Sequence, residues 1–236
     1  MKKTYWASLL LCLLGMTFQA YSQASPADYL SDIKLELKKE WPKNRLINLV
    51  FHGHSVPAGY FKTPQVNTLG AYPYQVLTLI KEQYPYATVN IINTSIGGEN
   101  AEKGASRFEQ EVLAHRPDVI FIDYALNDRG IGLERAKIAW EKMIQSAKSK
   151  GIKLILLSAS PDQRVEIKDT ASTLDEHGTQ IRELAKTHQI GFVDSYALFR
   201  SQVQAGVAIT DLMSQVNHPN EKGHALIAKE LIKFFK

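Results

Sequence analysis

Five times along this chain a short apolar run rich in β-branched residues gives way to a stretch of helical periodicity, and nothing else in the sequence restricts the fold as strongly. The runs are Leu46 to Phe51, Thr88 to Asn93, Asp118 to Asp123, Ile152 to Leu157 and Gly191 to Asp194. Between and around them, helices are predicted over Pro26 to Trp41, Tyr72 to Tyr84, Ala101 to His115, Leu133 to Lys150, Ser172 to His188, Tyr196 to Gln204 and Glu221 to Phe235, several of them stopped by Pro or Gly. Strands separated by helices cannot pair as hairpins, so the expectation is a three-layer α/β/α, flavodoxin-like open sheet of about five mostly parallel strands. A length of 236 residues suits one such domain.

The first residues follow a different pattern. Lys2 and Lys3 precede a mostly apolar stretch from Ala7 to Phe18, and Ser22-Gln23-Ala24 offers small residues where a signal peptidase reads. A cleaved signal peptide over residues 1–24 is therefore expected, leaving a catalytic domain over 25–236 and a secreted or periplasmic location. The apolar run is shorter than the ~20 residues of a membrane span, so stable membrane insertion is not expected after cleavage. Cys12, the one cysteine, lies inside this leader. The mature chain then has no thiol chemistry and no disulfide. Its charge, 26 basic residues against 24 acidic, is too even to suggest nucleic acid as a partner.

The first apolar run ends in Gly53-His54-Ser55, with Pro57 and Gly59 close behind. Ligand sites of parallel sheets lie at the carboxyl ends of the strands, which makes Ser55 the first candidate nucleophile. Taken singly, a serine before such a turn is more often a helix cap. A nucleophilic serine also needs a base and donors for an oxyanion. Gly97-Gly98 follows the second run, Asn127 the third, and His218 stands just before the last helix. His115, His177 and His188 fall on predicted helices without partners and read as ordinary.

Together these blocks resemble the SGNH hydrolase superfamily, the GDSL-like esterases and lipases. Gly53-His54-Ser55 is similar to the family's first block and implies Ser55 as nucleophile. Asn93 through Gly98 resembles the second, giving the Gly98 N–H to the oxyanion hole. Ala125-Leu126-Asn127-Asp128 is similar to the third, with Asn127 as side-chain donor beside the Ser55 N–H. His218-Pro219-Asn220 through Gly223-His224 resembles the fourth and makes His218 the base. The resemblance implies a serine esterase that needs no cofactor. Its best substrate class is O-acetyl groups on carbohydrate, as a small molecule or a polysaccharide. Glu99 and Arg129, beside the oxyanion residues, are the candidate substrate contacts, and Asp128 is expected to brace its loop.

Three positions depart from the family pattern. His54 stands where an Asp is usual, Ala125 where a Gly is usual, and Gln215 where an Asp normally holds the catalytic imidazole. Two substitutes are open for that last role: Asp211, seven residues before His218, or a backbone carbonyl in a Ser–His dyad. Two other classes of protein also compete. His52 and His54, at spacing two, would suit a metal-dependent hydrolase if both gripped one ion, and Gln215 would suit a noncatalytic carbohydrate-binding relative.

Overall fold

The computed structural model describes residues 23–236. The expected signal peptide falls almost wholly outside the described residues. Five strands, β1 (Leu46–Gly53), β2 (Thr88–Asn93), β3 (Val119–Asp123), β4 (Lys153–Leu157) and β5 (Gly191–Val193), form one parallel sheet in the order β2-β1-β3-β4-β5. This is the flavodoxin-like doubly wound order, whose switch point lies between β1 and β3.

Successive strand residues face opposite sides of a sheet, and β1 shows which helices cover each. Phe51 stacks on Phe121 with centroids 4.2 Å apart and meets Tyr72 of α4 (Tyr72–Gln83) edge-on at 5.7 Å. The next residue, His52, packs on the other side against Phe108 of α5 (Ala101–Glu111) at 5.5 Å. Helices α7 (Leu133–Lys148) and α8 (Thr173–His188) continue the α5 layer, while α10 (Glu221–Leu231) packs on α4 and α9 (Ser195–Gln204). The central strands are buried on both sides, as their continuous apolar runs require.

Several elements differ locally from expectation. The first helix divides into α1 (Pro26–Tyr29) and α2 (Ser31–Leu37), because Leu30 leaves helical geometry with φ −106° and ψ 28° while its side chain is buried. The helices ending at His115 and Phe235 tighten into 3₁₀ turns over their last residues. A short helix, α3 (Ser55–Ala58), opens immediately after β1, and α6 (Ala125–Asp128) after β3. The loop before α10 contains a two-stranded antiparallel ribbon, β6 (Met213–Gln215) with β7 (His218–Pro219), and it lifts His218 to the sheet's edge. Among the described residues no helix is long and apolar enough to cross a membrane.

Candidate active site

Ser55 is the first residue of α3, two residues past the end of β1, with His54 between them. The turn depends on Gly53: in register with Asp123 of β3, it has no room for a side chain, since a Cβ there would lie 2.5 Å from the Asp123 carbonyl oxygen. The His54 side chain accepts the Val56 N–H at 3.2 Å and so caps α3, and Gly59 closes the helix in the left-handed conformation, φ 89°.

The imidazole of His218 arrives from the β6–β7 ribbon, 163 positions away in sequence, and its Nε2 lies 2.9 Å from Ser55 Oγ. Both residues are 8% exposed, at the margin between interior and surface. His218 Nδ1 is 3.1 Å from the Phe61 carbonyl oxygen, which can only accept. That contact places the ring proton on Nδ1 and leaves Nε2 bare for the serine proton. The Gln215 amide lies against the same Nδ1 through its Nε2 at 2.5 Å, its Oε1 being taken by the Thr63 N–H at 3.1 Å. Gln215 thus occupies the place of an acid without supplying a negative charge, and its amide nitrogen competes with the tautomer that the Phe61 carbonyl favours. Burial lowers the His218 pKa, with the Phe61 carbonyl acting in the opposite direction.

Asp211 does not join this arrangement. It sits exposed at the end of a 3₁₀ turn, Ile209–Asp211, and engages Asn220 through its backbone carbonyl, so its carboxylate is not the group that meets the His218 ring.

On the oxyanion side, Gly98 adopts φ 79° in an exposed turn. Asn127 Nδ2 donates to the Glu99 carbonyl at 2.8 Å, which ties that turn to α6 and leaves the second amide hydrogen uncommitted. Among the described residues, neither the Ser55 nor the Gly98 backbone N–H is taken by a protein acceptor. Asn93 joins its own block to the turn that carries Ser55 by donating to the Pro57 carbonyl at 2.6 Å. Asp128 braces: its carboxylate accepts from the Ala101 N–H and from Trp140 Nε1, both at 2.7 Å, and burial raises its pKa to about 6.

Glu99 and Arg129 are each committed elsewhere. Glu99 pairs with Arg107 at 2.7 Å, and Arg129 with the buried Asp162 at the same distance, so neither offers a free charge to substrate. His52 and His54 do not converge on one ion. His52 belongs to Thr94, Gly104 and Tyr124 on the α5 side, and burial holds its pKa near 3; His54 leaves the strand to cap α3 and faces Asp123. Among the described residues no three His, Cys, Asp or Glu side chains group as metal ligands would.

The stretch from Val56 to Gly70 is too long and too aromatic for an idle linker and reads as a loop that lines a site, but the sequence assigns no role to its residues. Phe61 takes one through its backbone carbonyl. Tyr60, 40% exposed, sets its ring 6.2 Å from that of His218. With Ile96 and Val216, 45% and 44% exposed, it adds apolar surface beside the residues of the site.

The profile of the family described as GDSL-like lipase/acylhydrolase matches residues 51–226. An acetylxylan esterase from Geobacillus stearothermophilus is 22% identical over 202 residues, spanning 78% of this chain and 92% of its own. The crystal structure of an acetylxylan esterase from the same organism superposes with a TM-score of 0.70 at 21% identity, covering 80% of this chain and 94% of that one. A two-domain esterase active on acetylated mannans, co-crystallised with mannopentaose, gives a TM-score of 0.73 at 21% identity over 90% of this chain and 54% of its own. At these identities the structural likeness speaks to the fold.

Proposed function

Since this chain belongs to the GDSL-like lipase/acylhydrolase family and is an esterase of that family, we propose that it removes O-acetyl groups from carbohydrate with Ser55 as nucleophile and His218 as base. The observation that carries the assignment is the 2.9 Å approach of Ser55 Oγ to His218 Nε2. Oγ attacks the acetyl carbonyl as its proton passes to Nε2, and the carbonyl electron pair moves onto oxygen. The N–H groups of Ser55 and Gly98 and the Asn127 amide hold that oxyanion, each donor supplying a factor of about 10²–10³ in rate. Collapse expels the sugar hydroxyl, which takes the proton back from His218. Water then repeats the sequence on the acetyl-serine and releases acetate.

The acetylated-glycan substrate rests on the activities of the relatives, supported by the exposed Tyr60 ring beside His218, a surface on which an apolar sugar face can lie. The neutral Gln215 makes this a Ser–His dyad oriented by the Phe61 carbonyl, a weaker arrangement than one held by a carboxylate. Export through removal of residues 1–24 belongs to the same reading, and N-terminal sequencing of the secreted protein tests it. The activity is tested by incubating the protein and its Ser55→Ala variant with p-nitrophenyl acetate and with acetylated xylan and mannan. The proposal expects acetate release that the variant lacks. Equal rates for the two proteins would overturn the nucleophile, and glycan binding without any acetate release would overturn the hydrolysis.

A further inference from the structure

We propose that His54 and Asp123 form an imidazole–carboxylate couple on Ser55, which holds the nucleophile where His218 can take its proton; the inference rests on the role proposed for Ser55. Both side chains are buried, His54 completely and Asp123 to within 2%. The register of β1 on β3 sets Asp123 beside Gly53, one residue from His54, so the two meet where the sheet ends.

The tautomer of His54 follows from its neighbours. Its Nδ1 is 3.2 Å from the Val56 N–H, a donor only, so that nitrogen is bare and the proton resides on Nε2. Nε2 in turn faces Asp123 Oδ1 at 3.3 Å. The approach is not aligned as a hydrogen bond, yet neither atom has a hydrogen-bond partner elsewhere among the described residues, and two buried polar atoms are thus set against each other. Asp123 is fixed from its far side by the Tyr72 hydroxyl, 3.0 Å from Oδ2. A carboxylate facing Nε2 favours the proton there, which keeps Nδ1 an acceptor.

The consequence falls on the serine. Ser55 Oγ lies 2.9 Å from His218 Nε2 and 3.4 Å from His54 Nδ1, between two imidazoles. Because the Val56 N–H already engages Nδ1, the hydroxyl proton is directed to the nearer, unshared lone pair on His218. Without the carboxylate, the His54 ring is free to carry its proton on Nδ1, which costs α3 its cap and turns a donor toward Oγ. The departure from the family pattern at this position then has a reason. An Asp at 54 would also cap Val56, but it would face Asp123 as one buried carboxylate against another.

The test compares Asp123→Asn, His54→Asp, their double variant and Ser55→Ala, with kcat and KM on p-nitrophenyl acetate and the ring-nitrogen NMR shifts of His54. Asp123→Asn and His54→Asp are each expected to lower kcat by about tenfold or more with KM little changed, and the double variant to recover to within about threefold of the parent. The NMR shifts are expected to place the His54 proton on Nε2. Single variants within about twofold of the parent, losses that merely multiply in the double variant, or a proton on Nδ1 would each overturn the couple. If His54→Asp does not fold, Asp123→Asn and the tautomer decide. An inactive Ser55→Ala beside silent His54 and Asp123 variants removes the couple alone, whereas a fully active Ser55→Ala removes the nucleophile assignment and the couple with it.

Discussion

The Phe61 ring lies stacked on the ring of His224, centroids 5.2 Å apart and planes 17° from parallel, and this contact anchors the backbone carbonyl that meets His218 Nδ1. His224 is itself held by the Tyr72 N–H at 3.2 Å, so α4, α10 and the loop after α3 converge on one carbonyl group. Phe61→Ala removes the anchor while leaving the carbonyl in the chain. Its expected effect is a fall in kcat of about tenfold to a hundredfold with a smaller change in KM, as misplacement of a base costs. Steady-state kinetics on an aryl acetate checks this, and an unchanged kcat would remove Phe61 as the orienting group.

Gln215→Glu puts a carboxylate oxygen beside His218 Nδ1 and keeps the length of the side chain. A negative charge there accepts the Nδ1 proton and stabilises the imidazolium that the proposed attack by Ser55 forms. The expected outcome is a kcat/KM raised by about tenfold, and an acid limb of the pH–rate profile displaced to higher pH. In the parent, burial lowers the His218 pKa from 6.5, so the neutral ring of the proposed base persists below that pH and the limb should lie on the acid side of it. A variant limb that does not move would show that position 215 does not speak to the base.

Acid should weaken the fold. Burial holds the pKa of both His52 and His224 near 3, against 6.5 in an unfolded chain. Below pH 6.5 the unfolded state binds protons that the folded state refuses, and stability falls by up to about 1.4 kcal/mol per pH unit for each unmatched proton. Asp128 opposes this: with its pKa raised from 3.8 to about 6, it binds a proton in the folded state between those values and offsets one of the two. Urea unfolding at pH 7.5 and pH 5 should therefore give a lower midpoint at pH 5. Equal midpoints would contradict the burial of these histidines as neutral groups.

Asp128→Ala strands two buried donors, the Ala101 N–H and Trp140 Nε1–H. At about 1–3 kcal/mol for each unsatisfied group, the loss should be about 2–6 kcal/mol in urea unfolding, with Asp128→Asn losing less because it keeps one acceptor oxygen. Equal losses for the two variants would mean that the cost is one of charge and not of pairing.

The sheet was legible because each strand carries an uninterrupted apolar run and each crossover a helical period, which together leave few topologies. The candidates Ser55, Gly98, Asn127 and His218 were legible for a different reason: each lies in a short block at a strand end or just before the last helix. The orienting groups were not. The Phe61 carbonyl is a backbone atom delivered by the aperiodic stretch from Val56 to Gly70, and no residue type announces it. Asp123 and His54 stand 69 positions apart and become neighbours only once β3 pairs with β1, so their contact needed the sheet order first. The break at Leu30 leaves no trace in the sequence because the apolar spacing on either side of it is helical.

Labelling with a fluorophosphonate, which reacts with an activated serine, tests the central claim most directly. The account predicts one adduct, located by mass spectrometry on Ser55, and none in His218→Ala under the same conditions. An adduct on another residue, or labelling of Ser55 at the same rate without the His218 ring, would contradict it.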